Sequence, residues 1–300
     1  MDPFRKQSWL SKWWMRWSDY EKYKNQKFIE CLHSGLHPVP LVVQEKQDIH
    51  FKHSGNMGDV IYSLPTIYTL SRQGRAHVHL NPNVKGHYGK KAHPLGQVML
   101  SEKAITMLRP LLLAQPQIAS CDIYGGSQSI DYDLDVIRKY PFSLKFGNIA
   151  RWYFLVYAMN ADLGKPWLAV DADTQMRDFV VVARSQRHQA PGIDYSFLRK
   201  FDKLMFVGVE AEFHEMRSMV PKIDYRPVSD FLEMARMIAG CRFFIGNQSF
   251  PFSLAEGLKV RRLLEVYHLS PNVNVEGPDG YDFCYQPQFE ALVHKLYSGK

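Results

Sequence analysis

From residue 178 the chain alternates short apolar runs with helical patterns. DFVVVA, KLMFVG, RFFIG and RRLLEVY read as buried strands; YSFLRKF, DFLEMARMIAGC and FPFSLAEGLK read as the helices among them. Strands of about five residues separated by helices of about ten build βαβ units, and βαβ units build parallel sheet. An earlier stretch repeats the pattern. DIHF and RAHVHLN read as strands flanking the helical GDVIYSLPTIYTLS, and SEKAITMLRPLLLAQ reads as a helix interrupted at Pro110, followed by the strand and turn ASCDIYGG. Asp230 and Glu233 have the spacing of a capping box, with Gly240 near the helix end. With 300 residues there is chain enough for two such blocks. We expect an α/β protein divided into a helical extension (1–47), a first α/β block (48–170), a second (171–270), and a tail with a terminal helix (271–300).

The extension is distinct in composition. Residues 1–27 hold four of the six tryptophans, and seven Lys/Arg against three Asp/Glu, so +4 of the +7 net charge lies there. Trp9, Trp13, Trp17 and Tyr20 recur at helical spacing, with Lys12 and Arg16 elsewhere on the turn. Such a basic amphipathic helix either lies on an anionic membrane surface or packs on the body of the protein. HPVPLVV links it to the first block, and residues 82–99 read as a Gly-, Pro-, His- and Lys-rich loop. The body is mildly basic and carries no nucleic-acid-binding signature. No apolar run is long enough to span a membrane, and no signal-peptide pattern opens the chain, so we expect a cytoplasmic protein, peripheral at most to a membrane. Cys31, Cys121, Cys241 and Cys284 are far apart and form no CxxC pair, which points to reduced thiols.

In a parallel α/β sheet, ligands bind beyond the carboxyl ends of the strands. Three loops stand there. HSGNMGD places Gly55, Asn56, Met57 and Gly58 between a strand and a helix, with Asp59 at the helix start. The spacing G-x-x-G matches neither a dinucleotide fingerprint nor a Walker loop, and Asp59 could be a helix cap or a chemical group. FFIGNQSFPFSLAEG leads from a strand through Asn247, Gln248 and Ser249 into a helix whose N-terminus suits a phosphate; Glu256, further along, could accept ribose hydroxyls or could be solvated. VVVARSQRH places Arg184, Ser185 and Arg187 at a strand end, where arginine forks could grip phosphate oxygens or form a surface charge pair.

GNMGDVIYSLPTI resembles the opening motif of the family 9 glycosyltransferases, the heptosyltransferase group, with its G-D-[IV]-x-x-x-L-P pattern. FIGNQSFPFSLAEGL resembles their C-terminal [FI]-I-G-x-x-S-x-x-x-x-x-A motif, and the two occur in the family's order. The resemblance spans about 48–268. It implies the GT-B architecture: two Rossmann-like domains facing across a cleft, acceptor on the first and nucleotide-sugar on the second. It also implies that Asp59 is the base of an inverting transfer without a metal; the D-x-D formed by Asp171 and Asp173 lies between the blocks. Where family members often carry Asp-Ser-Gly and a His, this chain has Asn247-Gln248-Ser249 and Phe250, with Ser253 near the position of that His.

The expected chemistry is then transfer of a sugar from a nucleotide-diphosphate sugar to a hydroxyl of a glycan, lipid-linked or protein acceptor, with no cofactor. Arg184, Ser185, Arg187, Asn247, Gln248 and Ser249 would hold the donor, Glu256 its ribose, and Glu210, after the strand LMFVG, would lie near its base. A GT-B nucleotide-sugar epimerase and an inactive GT-B binding module are the rival readings.

Overall fold

The structure is a computed structural model that describes residues 8–33, 46–72, 74–86, 88, 96–141 and 143–299. The linker HPVPLVV, much of the loop expected over 82–99 and the first seven residues of the extension lie outside the described residues. Two helices, α1 (Trp9–Ser18) and α2 (Tyr20–His33), precede the body. The first half contains β1 (Asp48–His53), α3 (Met57–Ser71), β2 (Arg75–Leu80), α4 (Glu102–Leu113), β3 (Ile118–Ile123), β4 (Tyr132–Asp133) and α5 (Ile149–Tyr157). The second contains β5 (Val180–Ala183), β6 (Leu204–Phe206), α6 (Glu210–Met219), β7 (Asp224–Tyr225), α7 (Phe231–Gly240), β8 (Phe243–Asn247), α8 (Phe250–Leu258), β9 (Arg262–Glu265), β10 (Gly280–Phe283) and α9 (Gln286–Ser298).

Both sheets are parallel throughout their pairings. The first runs β3-β2-β1-β4 and the second β10-β9-β8-β5-β6-β7. Renumbered from β5, the second has the doubly wound order 3-2-1-4-5-6, in which strand order reverses between β5 and β8; in the first sheet it reverses between β1 and β4. Ligand sites are therefore expected above those two strand pairs.

Alternation along β5 explains how the sheets are covered. Val180 and Val182 join Phe206, Phe243, Phe283, Phe289 and Val293 on one face. Val181 and Ala183 join Phe244, Leu254 and Leu264 on the other, and this second cluster continues into Phe51, Val60, Leu64, Val78 and Leu108 of the first half. One core thus runs through both halves, with α3 packed on α8 and α4 on α7.

Several elements differ from expectation. Pro110 does not interrupt α4, which continues to Leu113, just as α3 continues through Pro65; each proline removes one N–H from its helix. YSFLRKF forms a short 3-10 helix, Ser196–Lys200. Residues 271–300 are more than a tail: β10 pairs with β9, and α9 buries Phe289, Val293 and Leu296. At α7, Asp230 accepts the Glu233 N–H at 2.9 Å, while the Glu233 carboxylate reaches Ser229 N–H at 2.8 Å, one residue before the cap.

Candidate functional site

The turn after β1 is built around a carboxylate held on one oxygen. Asn56 is the N-cap of α3 and Asp59 its N3 residue. Asp59 Oδ2 accepts the Asn56 N–H at 3.1 Å and the Arg138 Nη2–H at 2.6 Å. The Asn56 amide also reaches Oδ2, at 3.4 Å. Among the described residues no hydrogen bond takes Oδ1. Asp59 is therefore both a cap, as its position at a helix start suggests, and one half of an ion pair whose side chains are 15% and 24% exposed. Arg138 comes from the segment after β4, the other strand of this reversal. It is 79 positions from Asp59 in sequence, and no motif marks it.

A buried network fixes this pair. Asp135 accepts Arg138 Nη1–H at 3.1 Å, Ser54 N–H at 2.9 Å and the Ser54 hydroxyl. Burial pushes the Asp135 carboxyl up, but His53, the two Ser54 donors and Arg138 outweigh it and hold it below its ordinary range. His53 is fully buried. Its Nδ1 accepts the Gly55 N–H at 2.9 Å, which puts the ring proton on Nε2, 2.7 Å from the Tyr153 hydroxyl. Burial lowers the His53 pKa to about 4, so the ring is neutral near pH 7. Tyr153 in turn donates to the Asp59 carbonyl at 3.5 Å. A Cβ on Gly55 would stand 2.1 Å from Arg138 Nη2 and 2.8 Å from Asp59 Oδ2. Neither Arg138 nor His53 stands among the expected site residues: the fold alone brings Arg138 to the turn, whereas His53 opens the turn in sequence and takes its part through its bonds to Gly55 and Tyr153.

The second half meets this turn directly. The Cβ position of Gly58 lies 3.8 Å from Ser253 Oγ at the start of α8. Tyr88 donates to Asn56 Oδ1 at 2.5 Å, and the Arg187 guanidinium packs over the Tyr88 ring at 4.8 Å. Burial pushes the Tyr88 pKa up to about 12. Burial also lowers the Arg187 pKa, with Tyr88 and Asp59 opposing it. Among the described residues no carboxylate lies within ion-pair distance of Arg187. The opening motif, Arg187 and the N-terminal end of α8, where helix dipole and free N–H groups favour anions, thus share one place.

Other expected donor ligands are spent elsewhere. Arg184 forks onto Glu265 with two 2.8 Å bonds, donates to Ile193 O at 3.2 Å and covers the Tyr195 ring at 4.5 Å. Glu265 is fully buried, so the pair serves the core beneath the loop. Glu256 is also fully buried, paired with Arg262 and Lys259, and accepts Glu276 N–H at 3.1 Å. It is neither solvated nor open to a ribose. Glu210 begins α6 with its side chain 77% exposed and faces His214 at 3.6 Å. The carboxylate at the strand ends is Glu212, which bonds Ser185 and the Gln186 backbone; burial raises its pKa. Asn247 staples the neighbouring loop, accepting Ser185 N–H at 2.9 Å and donating to Ser185 O at 2.8 Å and Arg187 O at 2.6 Å. Gln248 does the same for the segment after β9, through Tyr267 N–H at 2.8 Å, Ser270 O at 2.6 Å and Asn272 Oδ1 at 2.9 Å. Ser249 caps no N–H of α8; its hydroxyl donates to Asn247 O at 3.1 Å. Asp171 lies outside any strand, and Asp173 caps a 3-10 turn while pairing with Arg226 at 3.0 Å.

Among the described residues no group of three or more His, Cys, Asp or Glu is placed to hold a metal, and no helix is long and apolar enough to cross a membrane. Hollows of about 530 and 450 Å³ lie elsewhere, beside Arg151 and Glu276 and beside Asp173 and Arg236; neither is lined by Asp59 or Arg187.

No family model and no curated protein matches the sequence. Solved structures do match. The glycosyl transferase family 9 from Veillonella parvula DSM 2008 aligns with a TM-score of 0.53 at 11% identity, over 85% of this chain and 90% of that one. The E. coli heptosyltransferase WaaC with ADP aligns at 0.53 and 9%, over 83% and 99%. The E. coli ADP-heptose lps heptosyltransferase II aligns at 0.51 and 13%, over 84% and 99%. At these identities the likeness is one of fold: the chain has the two-sheet α/β fold of the family 9 glycosyltransferases and heptosyltransferases.

Proposed function

We propose that this protein is an inverting glycosyltransferase that works without a metal, with its acceptor on the 48–170 half and its nucleotide-sugar on the 171–270 half. One observation carries the reading: among the described residues Asp59 is fixed through Oδ2 with no hydrogen bond to Oδ1, beside a half-buried Arg187 that has no acid partner. Oδ1 takes the proton of the acceptor hydroxyl as its oxygen attacks the anomeric carbon. The bond to the diphosphate breaks on the opposite face, and a single displacement inverts the centre. Arg187 and the N-terminus of α8 receive the charge that develops on the leaving diphosphate. Asn247 and Gln248 act by holding the loops that present these groups. Glu212, partly open at the strand ends, takes the ribose hydroxyls in place of Glu256.

The heptosyltransferases of this fold include one with ADP and one named for ADP-heptose, which makes ADP-heptose the donor to test first. The acceptor is a glycan, lipid-linked or protein hydroxyl on the cytoplasmic side. A thermal-shift screen of nucleoside diphosphates and their sugars tests the reading, because a ligand that binds only the folded state raises the melting temperature by mass action. A rise with a nucleotide-sugar is expected. Silence across the panel overturns donor binding and favours an inactive binding module, a reading that the internal use of Arg184, Asn247 and Gln248 supports. Conversion of the donor with no acceptor present would favour an epimerase.

A further inference from the structure

The helical hairpin α1–α2 has no part in the proposed chemistry, yet among the described residues it gathers the largest group of exposed aromatic side chains. Trp9, Leu10, Trp13, Trp14 and Trp17 are 71%, 65%, 53%, 68% and 75% exposed, and Tyr20 is 59% exposed. At 3.6 residues per turn these five α1 side chains share one continuous sector. The opposite side of α1 holds Lys12 and Met15, both partly covered, and Lys12 pairs with Glu30 of α2 at 2.8 Å. The helix therefore turns its polar edge onto α2 and its aromatic sector outward, so the tryptophans do not pack on the body.

Charge says what covers them. Arg16, Lys22, Lys24 and Lys27 are exposed along the hairpin. Lys24 and Lys27 sit over the Tyr20 and Tyr23 rings at 5.1 and 5.4 Å, which keeps cations beside the aromatic edge. Of the three acids on the hairpin, Asp19 accepts the Lys22 N–H at 2.9 Å, Glu30 is paired with Lys12 and Glu21 is exposed, so its five Lys and Arg still outnumber them. Indole rings favour the headgroup boundary, where the ring is shielded and its N–H stays wet, and lysines beside them favour anionic headgroups.

We propose that the aromatic sector of α1 is a docking surface for an anionic lipid bilayer, with α1 lying in the plane of the headgroups. At the far end of the hairpin, Cys31 Sγ stands 3.8 Å from the carbonyl of Lys139, the residue after Arg138. Docking therefore holds the Asp59 turn close to the lipid surface. The inference does not depend on glycosyl transfer.

The test is flotation of the full chain with vesicles of phosphatidylcholine alone and of phosphatidylcholine mixed with phosphatidylglycerol. Wild type should float with the mixed vesicles, not with the neutral ones, and less so at high salt, since exposed charges are screened. The triple variant Trp13→Ser, Trp14→Ser, Trp17→Ser should bind at least about tenfold more weakly with an unchanged melting temperature, since these side chains make the apolar contact. The pair Arg16→Glu, Lys24→Glu should also detach the protein. Flotation of the tryptophan variant at the wild-type level would overturn the proposal, as would failure of wild type to float. Light scattering that shows a wild-type dimer which the tryptophan variant loses would assign the face to a second copy instead. The thermal-shift response to nucleotide-sugars is read separately and keeps its meaning in every case.

Discussion

Gly55 and Gly58 are one turn of sequence apart and face different constraints. A methyl on Gly55 collides with the Arg138–Asp59 pair, whereas one on Gly58 meets only Ser253, at 3.8 Å or beyond. Gly55→Ala should therefore displace the carboxylate and lower the transfer rate by about 10²-fold, the scale of a misplaced catalytic group. Gly58→Ala, on the first turn of α3, should keep the rate near wild type; initial rates of the two variants side by side decide this. Arg184 illustrates the opposite error of reading. An arginine at a strand end suggests a phosphate ligand, but here it neutralises the fully buried Glu265. Arg184→Met should cost about 3–5 kcal/mol of stability, because it leaves a buried carboxylate without its partner. A denaturant titration measures that loss; a variant as stable as wild type would return Arg184 to the surface role.

At the scale of elements, the end of β1 and the segment after β4 form one unit through His53, Tyr153, Asp135 and Arg138. His53 is neutral in the fold, with a pKa near 4 against an ordinary 6.5. The unfolded chain therefore binds the extra proton between those values. The contribution is fully present above about pH 6.5 and is lost as the pH falls through 4, and the shift corresponds to about 3 kcal/mol. The melting temperature should drop across this window, and His53→Gln should flatten the drop; an unchanged slope in that variant would contradict the assignment. The strands β1, β2, β5, β8 and β9 were legible as short apolar runs, and α3 and α7 as helical patterns with their caps. The helix α6 was not, because only Phe213 and Met216 of its ten residues are buried, which leaves too thin an apolar stripe. Nor were β4 and β7, each two residues long, whose strand character comes from the neighbour they pair with. Arg138 and Glu212 escape notice for a related reason: each acts through a partner that is distant in sequence.

At the scale of the molecule, two sheets reverse their strand order, and each reversal carries one of the two motifs that the sequence resemblance singled out. The sequence showed the motifs but not their closeness, which depends on α3 packing against α8 through a shared core. That packing brings Asp59 and Arg187 close enough to interact electrostatically, while Arg184 and Glu256 are drawn into the interior. The account stands on Asp59 acting as base from that position. The direct measurement is release of nucleoside diphosphate from ADP-heptose, or from whichever nucleotide-sugar raises the melting temperature, by wild type and by Asp59→Asn with acceptor present. The account predicts that Asp59→Asn keeps the donor-induced thermal shift and loses about 10²- to 10⁴-fold in rate, the usual worth of a general base. A variant that binds donor and turns over at the wild-type rate would contradict it.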